Sequence, residues 1–235
     1  MSSALPDTTL QAVLFDLDGT LVDQQSAAAA AVVEWAAEHG ITDSAVADRW
    51  AELSEQHYMR YQRRELTFPE QRRQRVRAFL DVTVSDDKAD ELFLGYLRRY
   101  EAGWTLFEDA VPALRQVRAA GLAAVVFTNG NEDHQRYKID RLGLADEVDV
   151  LISSETLPAG KPDPRAFLQT VDRLGLTPSD VLMVGDSLEK DVRGALAVGI
   201  DAVLVDRYDA HAEAGVRRIR SLHELSVVSS PVSGS

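Results

Sequence analysis

The stretch "LFDLDGTLVD", Leu14–Asp23, sets three carboxylates around one glycine directly behind an apolar run. Asp16, Asp18 and Asp23 repel one another, and nothing adjacent neutralises them. Two readings are open. Asp-Gly is an ordinary turn dipeptide, and a solvated turn tolerates such crowding. A site that receives a cation and a phosphate requires something like it. A calcium EF-hand is excluded, because the loop's twelfth position counted from Asp16 is Ala27 rather than Glu.

The run ahead of these carboxylates, "AVLF" (Ala12–Phe15), has counterparts along the chain. They are "AAVVFT" (Ala123–Thr128), "VDVLIS" (Val148–Ser153), "VLMVG" (Val181–Gly185) and "AVLV" (Ala202–Val205). All are largely apolar rather than alternating, as parallel strands covered on both faces require. Amphipathic segments stand between them at Pro112–Ala120, Asp133–Leu142, Pro164–Leu174 and Leu188–Ala197. This alternation predicts an α/β fold with a doubly wound, Rossmann-like parallel sheet. "DRLGL" occurs at Asp140–Leu144 and again at Asp172–Leu176. It reads as a helix end with a left-handed glycine rather than as a repeat.

From about Val22 to Gly103 the alternation stops, and only helical patterns remain. "AAAAAVVEWAAEHG" ends at Gly40, and Trp50, Leu53, His57 and Tyr61 fall near helical spacing. "PEQRRQRVRAFL" opens with Pro69, suited to a first turn. The inserted segment predicts a second, all-helical domain, a lid. The expected division is core at 1–21, helical domain at 22–104, core again at 105–225 and a disordered tail at 226–235.

The 235 residues suffice for one sizeable core plus a smaller inserted domain. With no cysteine, disulfides, thiolate metal sites and a cysteine nucleophile are all excluded. A net charge of −13 argues against nucleic acid as a partner, since that affinity rests on Lys and Arg meeting phosphates. A small anionic substrate in a locally positive pocket stays compatible. The opening residues lack a basic region followed by a long apolar stretch, so no secretory signal is expected. No apolar run approaches membrane-helix length. The expectation is a cytoplasmic protein with no membrane partner, while the oligomeric state stays open.

In an open parallel sheet, ligands bind beyond the carboxyl ends of the strands. The expected strand tips carry Asp16, Asp18 and Thr20; then Thr128, Asn129 and Gly130; then Lys161 in "GKPDP"; then Asp186, Ser187 and Asp191 in "GDSLEKD". Singly, each motif reads as a turn, a loop or a helix cap. Their joint placement on one rim does not reduce to that.

"DLDGT", "TNG", "GKP" and "GDSLEKD", in this order, resemble the haloacid dehalogenase-like hydrolase superfamily, in the subclass with a helical cap inserted after the first strand. The likeness spans essentially the whole chain. It implies a Mg²⁺-dependent phosphatase of a small phosphorylated metabolite. Asp16 would be the nucleophile that forms an aspartyl-phosphate, and Asp18 the residue that protonates the leaving oxygen and later takes a proton from water. The resemblance implies Mg²⁺ on the Asp16 side chain, the Asp18 backbone carbonyl and the Asp186 side chain, with Asp191 close behind. Thr128 and Lys161 would hold the phosphoryl oxygens, joined by the backbone N–H groups of Leu17 and Asn129. Asp23 matches no role in that pattern. The dehalogenases of the superfamily lack the second acid, so Asp18 favours phosphate ester hydrolysis. A phosphomutase on the same residues, or a non-catalytic phosphate-binding regulatory protein, are the alternatives.

"TNGNEDHQRYKIDRLGL" is similar to members such as pyrimidine-nucleotide and acylneuraminate-9-phosphate phosphatases, which carry Gln and Lys at the spacing of Gln135 and Lys138. Those two side chains read equally as a solvent face or as functional groups. Arg60–Arg77 carries seven arginines against two glutamates. They read as a solvated face, or as containing one or two cations that meet an anionic substrate group.

Overall fold

The computed structural model describes residues 10–227. The chain forms two compact units, one holding the residues up to Val22 and from Leu106 onward, the other Asp23–Thr105.

The first unit is an α/β layer structure. Its strands are β1 (Ala12–Phe15), β2 (Ala123–Thr128), β3 (Val150–Ser153), β4 (Val181–Gly185), β5 (Asp201–Val205) and β6 (Arg218–Ile219). They form one sheet in the order β3-β2-β1-β4-β5-β6, and every pairing is parallel. The apolar runs explain this directly, because successive residues enter two different cores. Val13 and Phe15 of β1 join one, with Leu114, Val126 and Val184, while Ala12 and Leu14 join the other, with Phe127, Phe167 and Met183. A strand buried on both faces cannot alternate apolar with polar residues.

Four helices of the insertion come first in the chain: α1 (Gln24–Glu38), α2 (Val46–Gln62), α3 (Phe68–Leu80) and α4 (Asp86–Ala102). Those of the sheet unit follow as α5 (Ala110–Ala119), α6 (Glu132–Arg141), α7 (Pro164–Arg173) and the short α8 (Gly194–Leu196). In the helical unit Trp35, Trp50, Phe79, Phe93 and Tyr96 share one core, with the Trp35 and Trp50 rings 5.3 Å apart. Asp23 caps α1 by accepting the Ser26 N–H at 3.1 Å. Thr67 and Glu70 cap α3 reciprocally, and Pro69 sits in its first turn, where a missing N–H costs nothing.

Several boundaries differ from the sequence reading. The strand expected at Val148–Ser153 starts at Val150, because the Val148 N–H bonds back to the Leu144 carbonyl and completes the turn after α6. The helix expected at Leu188–Ala197 opens as a π-helical segment, Leu188–Arg193, before α8. Within it the Asp191 side chain turns inward and accepts the Ser187 N–H at 3.0 Å. The strand β6 was not anticipated; two residues flanked by arginines carry no apolar run. Both "DRLGL" glycines, Gly143 and Gly175, adopt the expected positive φ. Of the tail expected at 226–235, residues 228–235 lie outside the described chain.

Candidate active site

The central strand positions the first acid. The Asp16 N–H extends the ladder to the Val184 carbonyl at 2.9 Å, so its side chain leaves the sheet at the carboxyl edge between β2 and β4. Beyond it the chain closes a tight loop, with the Leu21 and Val22 N–H groups both on the Leu17 carbonyl. Among the described residues the Leu17 N–H itself meets no acceptor. The buried Thr20 hydroxyl lies 3.4 Å from both Asp16 Oδ2 and Asp186 Oδ1, tying the ends of β1 and β4 together.

Lys161 is the buried cation of the site. Its ammonium donates to Asp16 Oδ1 at 2.7 Å, to Asp191 Oδ1 at 2.6 Å and to the Phe127 carbonyl at 2.8 Å. All three of its protons are thereby used. Burial lowers the lysine's proton affinity, but Asp16 and Asp191 outweigh it and raise its pKa. The side chain of Asn129 holds the backbone of Lys161 from both sides, donating to its carbonyl and accepting its N–H, each at 2.8 Å. That side-chain task was not foreseen, since the sequence reading used only the backbone of Asn129.

Asp18 faces a different pair of groups. The buried Lys138 ammonium donates to its Oδ1, and Gln135 Nε2 donates to its Oδ2 at 3.0 Å. The same Gln135 amide donates to Thr128 Oγ1 at 3.0 Å, linking Asp18 to the end of β2. Burial pushes the Asp18 carboxyl up, yet the charge of Lys138 and the hydrogen bonds from Lys138 and Gln135 leave it below the usual range. Gly130 makes room for this arrangement. A Cβ there would come within 2.8 Å of the Gln135 amide nitrogen and 3.0 Å of its Cγ. The turn is fixed from β3 and the residue after it, with Gly130 N–H on Ser154 Oγ and Ser153 Oγ on the Gly130 carbonyl.

Carboxylate oxygens of Asp16, Asp186 and Asp191 lie within 4.8 Å of one another. Burial raises the pKa of both Asp16 and Asp186. The neighbouring acids add to this, and Lys161 opposes it only in part. Such a cluster is short of positive charge, and its all-oxygen donor set suits a hard dication. Asp191 has both oxygens engaged, by Lys161 and by the Ser187 N–H, which leaves Asp16 Oδ2 and Asp186 as the open ligands. The donors present fit Mg²⁺.

A sequence-family model of the haloacid dehalogenase-like hydrolases matches residues 10–199. The chain belongs to this family. The hydrolase is 41% identical over 117 residues to a phosphoserine phosphatase of Thermus thermophilus, an alignment covering 50% of this chain and 45% of that protein. It is 30% identical over 212 residues to a glyceraldehyde 3-phosphate phosphatase of Methanopyrus kandleri, covering 84% of each. The chain thus spans about half the length of the first two curated relatives it matches. In fold it is similar to a magnesium-bound HAD hydrolase of Bacillus subtilis, with a TM-score of 0.79, 23% identity, and 92% of this chain and 96% of that one covered.

Sequence reasoning left Gln135 and Lys138 undecided and did not single out Arg207. This arginine of the hydrolase donates to the Thr20 carbonyl at 2.9 Å and pairs with both oxygens of Asp109, at 2.8 and 2.9 Å. It braces the loop behind Asp16 against the start of α5.

Proposed function

We propose that the chain is a Mg²⁺-dependent phosphatase acting on phosphate monoesters of small metabolites. One observation carries the reading. A second carboxylate, Asp18, stands two residues past Asp16 and is held by its own donors, Gln135 and Lys138, apart from the Lys161 cluster.

Asp16 attacks phosphorus with Oδ1, the oxygen that is not given to the metal, as the Lys161 ammonium turns from it to the phosphoryl oxygens. As the new oxygen–phosphorus bond forms, the ester bond breaks and the departing oxygen takes a proton from Asp18. Water then attacks the phosphorus of the aspartyl-phosphate and gives a proton to Asp18, and inorganic phosphate leaves as Asp16 is regenerated. The clamp around Asp18 favours the ionised form that the second step uses. The approaching phosphate charge works against it and raises Asp18's proton affinity for the first. Thr128, Lys161 and the N–H groups of Leu17 and Asn129 hold the phosphoryl oxygens. Asp16 Oδ2, the Asp18 carbonyl and Asp186 would hold Mg²⁺, with Asp191 behind them. The ion supplies the charge that lets one anion attack another.

A panel of phosphorylated metabolites, assayed with Mg²⁺ and again with excess chelator, tests this. Hydrolysis to inorganic phosphate only when the ion is present is the expected result. Full activity in chelator, or none on any ester, contradicts it.

A further inference from the structure

The helical unit contains two arginines whose surroundings differ from those of every other cation on α3. Arg73 pairs with Asp86 and Asp90, and Arg77 with Asp86 and the Val84 carbonyl. Arg72 and Arg75, one turn apart on the same helix, have no carboxylate within ion-pair distance among the described residues. This holds in a chain with 38 acids against 25 lysines and arginines. Arg75 makes one hydrogen bond, to Ser54 Oγ at 2.9 Å, and its buried Nε has no acceptor. Arg72 rests on the Phe68 ring at 4.1 Å. Both guanidinium carbons lie 5.0 Å from the centre of the Phe93 ring, and Arg75 also lies 4.7 Å from Trp50.

A guanidinium stacked on a ring satisfies its flat face, not its edge, where five N–H donors wait for acceptors. Two such groups around one phenyl ring also repel each other. Burial and that neighbouring charge pull Arg72 down to about 10, and burial lowers Arg75 as well. Glu101 faces Arg72, and Tyr58 and Tyr100 face both arginines and add hydroxyls to the same place. An arrangement rich in donors, walled by aromatic rings and with no carboxylate in ion-pair contact among the described residues is what an oxyanion completes.

We propose that Arg72 and Arg75 form a binding site on the helical unit for a carboxylate or phosphate group. Two sources share this chemistry. One is a second acidic group on the phosphorylated substrate, which rests on the phosphatase reading above. The other is a free small anion.

Two arms separate them. In the first, the Mg²⁺-loaded protein hydrolyses a matched pair, 3-phosphooxypropanoate and propyl phosphate, and the ratio of their kcat/KM values is compared with that of Arg72→Met and Arg75→Met. A substrate source predicts a wild-type ratio of at least about 30-fold in favour of the carboxylate-bearing ester, falling about tenfold or more in each variant through KM. In the second arm, sulfate is titrated against the protein without substrate while tryptophan fluorescence is followed, Trp50 being the ring beside Arg75. A free-anion source predicts a saturable change in wild type that Arg75→Met loses and Arg75→Lys partly restores, with no change in the substrate ratio. The proposal is overturned if ratio and titration are both the same in wild type and variants. Absence of hydrolysis of every ester in the metabolite panel defeats the phosphatase reading instead, and the titration then decides the site alone.

Discussion

The Lys138 ammonium sits on the carboxylate of Asp18, a residue 120 positions earlier in the chain, and is itself almost wholly buried. A lysine sequestered this way loses hydration, and contact with a carboxylate offsets that loss. Its position on α6 therefore serves Asp18 rather than solubility. Lys138→Met keeps the length of the side chain and removes the charge. Turnover of alkyl phosphates is expected to fall by about 10²-fold, within the range of general acid–base catalysis. In an Asp18→Asn background the same change is expected to cost under about threefold. Steady-state kinetics on the two single variants and the double variant check this; simple multiplication of the two losses contradicts the link.

Gly130 and Gln135 form a second coupled pair, this time through space rather than charge. Gly130→Ala puts a methyl group against the Gln135 amide, so the amide must swing away from Thr128 and Asp18. The expected outcome is a loss of kcat/KM close to that of Gln135→Ala. In the Gln135→Ala background, where the space is vacant, Gly130→Ala should cost little more. Thermal unfolding of the same set separates this from general destabilisation.

Much of this could be read from the chain. The strands β1, β2 and β4 were readable end to end, because a strand buried on both faces has no choice but a continuous apolar run. The acids behind them follow from where such strands end. Gln135 and Lys138 were not decidable. On α6 they alternate with Asp133, Arg136 and Asp140, a pattern that a solvated face also shows, and only the turn at Gly130 aims them at Asp18. Arg207 follows β5 in a stretch without motif, and its partners Thr20 and Asp109 come from distant parts of the sequence. Among the arginines of α3, Arg72 and Arg75 stand apart only once Asp86 and Asp90 on α4 have taken up Arg73 and Arg77.

Removing Lys161 tests the buried cluster. Lys161→Met leaves Asp16 and Asp191 facing each other without their cation. Breaking a buried pair from one side typically costs about 3–5 kcal/mol, and urea unfolding should show a loss of that order. Added Mg²⁺ is expected to recover part of the stability but not the activity. A variant as stable as wild type in chelator would show that the cluster carries no such strain.

Asp109 gives a pH dependence. Burial raises its carboxyl, but Arg207, Ser221 Oγ and the Leu222 N–H more than compensate, leaving it below the usual carboxylate range. A depressed folded-state value means the stabilisation is fully present above the unfolded value and is lost as pH falls through the folded one. The stability difference between wild type and Asp109→Asn, about 1–3 kcal/mol by the worth of hydrogen bonds to a charged group, should therefore hold near neutrality and shrink below about pH 4. Urea unfolding at a series of pH values reads it. A difference that grows in acid has the wrong sign.

The central claim is that Asp16 becomes phosphorylated while Asp18 moves the proton. Asp18→Asn should retain the first step with an aryl phosphate, whose leaving group departs without a proton, and should stall at the second, which needs a base. Mixing that variant with p-nitrophenyl phosphate and Mg²⁺, quenching in acid and mapping the peptides by mass spectrometry reads this directly. The account predicts one phosphoryl group on the peptide from the end of β1, assigned to Asp16 and absent from Asp16→Asn. Release of nitrophenol with no phosphoryl group on the protein, or with the group on another residue, contradicts it.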